Sequence, residues 1–491
     1  MAKTCGELFE GYDCTILGDG AEPVRGLAYR SDRVEEGDLF FCIVGLVADG
    51  HTFAQDAIDH GARTLVVERV PHLADSTGVT EVVVADSRRA MAFASARFYD
   101  DPSEDFQLVG ITGTNGKTTT TYLVEAIARA AGEKTGVIGT VGVQVGDERL
   151  PSAHTTPESP DLQAIMARMR DAGCKVVAME VSSHALDLER TWGLRFAVTA
   201  FTNLTQDHLD YHKTFDAYFE AKALLFSSDY PAARVISIED EWGRELARRC
   251  REAGDAVTTT GFGPEADIYP VSVDYGATGT TVELAVASLG RTVGFTYPLV
   301  GRFNVENVMT AFGCGLALGI DADTIVAALA DVPPVPGRLQ RVGQPGDPAV
   351  YVDYAHTPDA LEKAIASVRE LGRGRTIVVF GCGGDRDAGK RPLMGAAALT
   401  ADYAVVTSDN PRNEAPMDII ADIVAGMAAE ERFEVEPDRR AAIGRAIALA
   451  GPADVVLVAG KGHEDYQIIG GETIHFDDCE AAAEALAAAR A

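Results

Sequence analysis

Short apolar runs alternate along the whole chain with stretches in which apolar residues recur every three or four positions. The runs at 38–44, 63–68 and 81–85 predict buried strands, and 87–99 predicts a helix. The acidic, proline-containing segment 100–105 reads as a linker. A strand at 107–112 leads into a Gly- and Thr-rich stretch and then a helix over 118–131, closed by Gly132. Apolar runs at 175–179 and 196–200 alternate with helical segments and predict a parallel sheet, in a region that ends near the prolines of 332–336. Beyond it, strands are expected at 349–352, 376–380, 403–407 and 454–459, with a hairpin over 466–476 turning on Gly470 and Gly471.

A chain of 491 residues exceeds one ordinary core, and the pattern divides it into regions 1–105, 106–335 and 336–491. With 46% hydrophobic and 24% charged residues it folds, and a net charge of −31 argues against nucleic acid or an anionic membrane as partner. The acidity reads as an aid to solubility, so an anionic substrate requires local positive charge in its cleft. The eight cysteines form no C-x-x-C pair, which argues against a zinc site or a disulfide framework and fits a reducing cytosol. The N-terminus has no apolar signal core, and no apolar run approaches the ~20 residues of a membrane span. A cytoplasmic monomer is expected.

The candidate chemistry begins at 110–120, GITGTNGKTTT. Backbone N–H groups of Gly113, Thr114, Asn115 and Gly116, with Thr119 at the helix start, suit a polyphosphate. Lys117 reaches the outer phosphates and Thr118 can ligate Mg²⁺. The glycine spacing departs from the usual phosphate loop, so a plain turn before a helix is the competing reading; the strand before and the helix after favour the loop. Glu180 ends an apolar strand in Met179-Glu-Val-Ser-Ser-His184, where a carboxylate can hold Mg²⁺. The segment 202–212, TNLTQDHLDYH, gathers two Asp, two His and an Asn. Lys222 lies among Ala221, Ala223 and Leu224, where a protonated amine is poorly solvated unless paired. Three strand-end loops of the third region converge: 381–386, 408–412 and 460–464. Cys382 in the first of them reads as a small residue, not a nucleophile.

Thr112-Gly-Thr-Asn-Gly-Lys-Thr118 is similar to the loop of the Mur ligases, the amide-forming enzymes of peptidoglycan precursor synthesis, and of their folylpolyglutamate synthetase relatives. The other motifs follow in that family's order over nearly the whole chain. The resemblance implies an α/β protein of three domains: an N-terminal UDP-binding domain, a central ATPase-like parallel-sheet domain and a C-terminal Rossmann-like domain. It implies that ATP activates a substrate carboxylate as an acyl phosphate, which an amine then attacks. It also makes Lys117 catalytic and lets a carbamylated Lys222 (N6-carboxylysine) support a second Mg²⁺ beside His208. Asn307 with Asn304 would read the adenine, Arg338 would reach the γ-phosphate, and Asp353 would contact ribose and phosphates.

Segment 27–41 resembles the uridine entry of the branch that extends UDP-N-acetylmuramoyl-L-Ala-D-Glu, with Ser31 near the uracil. Thr155, Thr156, Ser182 and Arg190 match that branch's contacts to the muramoyl-dipeptide; Leu188 departs from the Gln of some members. Asp409-Asn410-Pro411-Arg412 resembles the signature of members that take meso-diaminopimelate. Arg412 and Arg386 suit its distal carboxylate, and Glu464 with the Gly460 carbonyl suits its ammonium. The alternatives are the same chemistry with L-lysine or another diamino acid, a folylpolyglutamate synthetase-like ligase, and a nucleotide-dependent scaffold without ligase activity.

Overall fold

A computed structural model of the chain describes residues 3–45, 48–74, 77–152, 154–276, 279–344, 346–427 and 431–490. The fold is α/β, built of parallel-rich sheets, and divides into two compact units that are each discontinuous in sequence. One holds the chain up to Thr112 together with Glu133–Thr199 and Glu220–Ala233; the other holds Gly113–Gly132, Ala200–Phe219 and the chain from Arg234 onward.

In the first unit five strands lie in the order Cys14–Leu17, Thr80–Val84, Thr64–Val67, Leu39–Phe41, Leu27–Ala28. All neighbours are parallel except the first pair. The apolar runs are continuous because both faces are covered. Leu39 and Phe41 pack with Met91 of the helix Ser87–Phe98, while Phe40 packs with Ala54 and Ala57 of the helix Ala54–Asp59. The expected linker is an ordered corner: Asp100 and Asp101 both have positive φ, Pro102–Glu104 forms a 3-10 turn, and Ser103 is buried with its hydroxyl accepting from the Arg195 N–H at 3.2 Å. In the same unit Gln107–Thr112 pairs in parallel with Val176–Glu180, which pairs in parallel with Thr135–Gly139. This register sets Glu180 beside Ile111, one residue before the strand ends.

In the second unit the helix Lys117–Ala130 packs on Arg302–Ala317 and Ala322–Ala330. An antiparallel meander, Ile268–Gly276, Gly279–Val286 and Arg291–Tyr297, occupies a stretch for which the sequence pattern assigned no strand. The last sheet runs Gln340–Val342, Ala349–Asp353, Val455–Ala459, Thr376–Phe380, Tyr403–Val406, Phe433–Val435, parallel apart from its first pair. Helices cover both faces, with Ile365, Met394 and Ile423 on one and Ile443, Ile447 and Leu486 on the other. The hairpin is present as Tyr466–Ile469 and Glu472–His475, turning on Gly470 and Gly471, both at positive φ.

Candidate functional site

The loop after Thr112 is held by the segment that the sequence marked as rich in Asp, His and Asn. Asn203 accepts the Asn115 N–H on its side-chain oxygen at 2.9 Å and the Thr114 N–H on its carbonyl at 2.8 Å, and Thr202 Oγ1 donates to the Asn115 carbonyl at 2.6 Å. Thr114 Oγ1 in turn receives the Thr205 N–H at 3.0 Å and lies 3.2 Å from Tyr218 Oη. Lys117 Nζ donates back to the Gly113 and Thr114 carbonyls at 2.9 and 2.8 Å, so its charge sits over the loop. Gly116 has φ +86°, and a Cβ there would collide with Asn307 Oδ1. Only glycine lets the backbone come this close.

Asn307 and Asn304 are buried beneath the loop. Thr120 Oγ1 donates to Asn307 Oδ1 at 3.5 Å, Asn307 Nδ2 to Asn304 Oδ1 at 3.1 Å, and Asn304 Nδ2 to the Val300 carbonyl at 2.8 Å. These bonds tie the pair to the helix that follows the loop. Between them Glu306 is pushed up to about 7 by burial and then by Glu239, with Lys363 and Arg302 opposing. A carboxyl raised in this way binds its proton more tightly folded than unfolded, so stability falls as pH rises from about 4.3 towards 7. Glu306→Gln is therefore expected to stabilise the protein by about 1–3 kcal/mol at pH 8 and hardly at all at pH 4. Thermal melts at the two pH values check this; an equal effect at both would remove the buried charge as the cause.

Arg338 Nη2 donates to Thr118 Oγ1 at 2.8 Å, and its guanidinium lies 4.8 Å from the Tyr354 ring centroid. Asp353, buried, accepts the Leu339 and Ala355 N–H groups at 2.7 and 2.9 Å and so fixes the segment that carries Arg338. His208, at φ +53°, sits with Nε2 3.3 Å from Asp207 Oδ2 and its ring edge-on to Tyr218. Burial would raise the Asp207 carboxyl, but His208, His356 and Lys117 together hold it below the usual range.

In the first unit, Glu180 is 1% exposed and accepts the Thr140 N–H at 2.9 Å and the Thr140 hydroxyl at 3.1 Å. Thr155 Oγ1 is 3.0 Å from that hydroxyl. Thr156 Oγ1 donates to the Glu180 carbonyl at 2.9 Å and accepts the Ser182 N–H at 3.1 Å, and Arg190 Nη1 donates to the Thr156 carbonyl at 2.9 Å. The structure thus gathers Thr155, Thr156, Ser182, Arg190 and Glu180 into one patch. Glu158, which the sequence did not single out, pairs with Arg190 at 2.7 Å and borders a cavity of about 490 Å³ lined also by Ser31, Tyr29, Arg30, Phe40 and Arg88. Lys222 is 1% exposed in the last turn of the helix Phe215–Ala223.

The three loops of the last sheet interlock. Arg412, at φ +54°, donates from Nη1 to the Gly384 carbonyl at 2.8 Å, and Gly384 N–H donates to the Asn410 carbonyl at 2.9 Å. Asn410 Nδ2 donates to Glu464 Oε2 at 2.8 Å, and Gln467 Nε2 donates to the Asp409 carbonyl, next to Pro411's neighbour Asn410, at 2.7 Å. Gly460, at φ +119°, leaves room for Asp409 Oδ2, which lies 2.6 Å from where a Cβ would be. Arg386 is exposed and lightly tied, its Nη1 3.3 Å from the Asp385 carbonyl. Lys461, fully buried, bridges Asn410 Oδ1 and Glu464 Oε2 at 3.2 Å each. Sequence reasoning passed it over; a lone lysine between two glycines at a strand end was the available signal.

Three family models match in succession: "Mur ligase family, catalytic domain" over 23–101, "Mur ligase middle domain" over 111–315 and "Mur ligase, glutamate ligase domain" over 337–462. Among curated relatives, the UDP-N-acetylmuramoyl-L-alanyl-D-glutamate--2,6-diaminopimelate ligase of Geobacillus kaustophilus is 46% identical over 468 residues, 94% of each chain. That of Gloeobacter violaceus is 47% identical over 470 residues, 95% of this chain and 94% of its own. A solved structure of a ligase of the same name is 32% identical, covers 100% of both chains and superposes with a TM-score of 0.71. A MurF ligase from Thermotoga maritima in complex with ADP shares the fold at 18% identity, TM-score 0.63, over 95% of this chain and 99% of its own. The chain belongs to the Mur ligase family.

Proposed function

We propose that the chain is an ATP-dependent ligase that joins meso-2,6-diaminopimelate to UDP-N-acetylmuramoyl-L-alanyl-D-glutamate during peptidoglycan precursor synthesis. The observation that carries the choice of amine is the interlocked loop 409–412. There Arg412 is anchored through Nη1, and among the described residues its other guanidinium nitrogens, Nε and Nη2, make no hydrogen bond. A planar guanidinium held in this way suits a carboxylate, and Glu464 on the companion loop suits an ammonium. L-Lysine has no distal carboxylate for that guanidinium.

ATP sits on the loop 113–119, with Lys117 and Arg338 supplying positive charge to the transferring phosphoryl group. Among the described residues no three acidic, His or Cys side chains form a ready metal cage. Mg²⁺ keeps several waters and binds through one or two protein oxygens plus phosphates. The resemblance assigns Thr118 and Glu180 to a first such ion, and His208 with a carbamylated Lys222 to a second. When bound, the metal screens charge on the phosphates. The chain's own residues bind and orient: Ser31, Thr155, Thr156, Ser182 and Arg190 hold the nucleotide dipeptide, and the 409–464 loops present the amine to the activated carboxylate.

The division into three domains at 105 and 335 belongs to this reading and is supported by the gaps between the matched models, 101 to 111 and 315 to 337. Among the described residues no helix is long and apolar enough to cross a membrane; a cytoplasmic monomer suits the nucleotide substrates.

The deciding experiment measures phosphate release from ATP with a panel of amino acids, with and without the nucleotide dipeptide. Release that needs both the dipeptide and diaminopimelate is expected. Release indifferent to both would favour a scaffold that hydrolyses ATP, and release with L-lysine alone would move the amine specificity.

A further inference from the structure

Arg439 and Asp478 are the first residues of the helices Arg439–Leu449 and Asp478–Arg490, and both side chains are completely buried. Their contact is bidentate: Arg439 Nε donates to Asp478 Oδ1 at 2.8 Å, and Nη2 to Oδ2 at 2.7 Å. A buried ion pair is a poor way to gain stability, because desolvation offsets its Coulomb attraction and an apolar pair of similar volume serves as well or better. What the guanidinium does beyond the pair is more telling. Nη2 also donates to the Ala459 carbonyl at 3.0 Å, and Nη1 lies 3.4 Å from the Ser408 carbonyl.

Ala459 is the last residue of its strand, and Ser408 lies just past the strand Tyr403–Val406. Each carbonyl immediately precedes one of the loops assigned to the amino acid: Asp409–Arg412 follows Ser408, and Gly460–Glu464 follows Ala459. The two loops also meet directly, through Asp409 Oδ2 in the space left by Gly460.

We propose that Arg439 is a positioning residue for the amino-acid substrate: clamped by Asp478, it ties the Ser408 and Ala459 carbonyls together and sets the spacing between the loops of Arg412 and Glu464. The inference rests on the ligase reading above. A lysine cannot reproduce the bidentate pair and reach both carbonyls, since it lacks the planar fork.

The test compares wild type with the double variant R439M/D478L, which keeps apolar volume in the core, and with R439K. KM is measured separately for diaminopimelate, ATP and the nucleotide dipeptide, alongside kcat and the thermal midpoint. In whichever variant folds, KM for diaminopimelate is expected to rise at least tenfold while the other two stay within twofold. A folded variant with unchanged KM for diaminopimelate, or with all three KM values raised alike, would overturn the proposal and leave the pair a structural element. Should wild type turn over with a different amine, the choice of substrate made above fails; the selective rise in KM, read for that amine, then decides the role of Arg439.

Discussion

Lys222→Ala is expected to lower kcat by about 10²–10³, the scale for removing one group that stabilises developing charge. The expectation starts from burial: Lys222 is 1% exposed near the end of a helix whose neighbours Phe219 and Leu225 are core residues. An ammonium in such a place is costly to desolvate, whatever partner it has. Reaction of the neutral amine with carbon dioxide forms a carbamate, which turns the cation into a carboxylate-like anion. Alanine leaves a space in which acetate or formate can stand for the lost carboxylate, so these ions are expected to restore part of the activity. Incubation with ¹³C-labelled bicarbonate should give a carbamate carbon signal in wild type and none in the variant. Full activity in the variant, or an absent signal in an active wild-type sample, would reduce Lys222 to a buried ion-pair partner.

The strands that carry these residues were legible because parallel sheets covered on both faces write themselves as unbroken apolar runs; 376–380 and 455–459 are examples. The meander 268–297 is hard to see in the sequence, although Thr280, Val282, Leu284 and Val286 are buried at alternate positions. Its first strand breaks the alternation with a register shift between Pro270 and Ser272, and Val271 is exposed. The acidic corner at 100–105 reads as a linker in sequence, because only tertiary contact shows Ser103 buried against the Arg195 backbone. The site divides along the same line. Glycines and charged residues at strand ends announce the loops, but the residues that brace them are ordinary in sequence. Glu158 behind Arg190 and Arg439 behind Ser408 acquire meaning only from what they touch.

Arg412→Ala is expected to weaken diaminopimelate by about 2–5 kcal/mol, roughly 30- to 5,000-fold in KM, while KM for ATP changes little. The size follows from what is left behind: a substrate carboxylate already drawn out of water and deprived of its cation. The selectivity follows from place. Arg412 contacts the Gly384 and Asn410 carbonyls within the loops of the last sheet, whereas the phosphate loop is braced by Asn203, Thr202 and Arg338. Arg412→Lys should recover only part of the loss, because a point charge does not match the carboxylate in two places. Discrimination between diaminopimelate and L-lysine should collapse in step, since the arginine acts on the one group that distinguishes them. Competition assays with both amines on the alanine variant make the check. An undiminished preference for diaminopimelate would take Arg412 out of the substrate's reach and pass its role to Arg386, whose exposed guanidinium stands on the neighbouring loop.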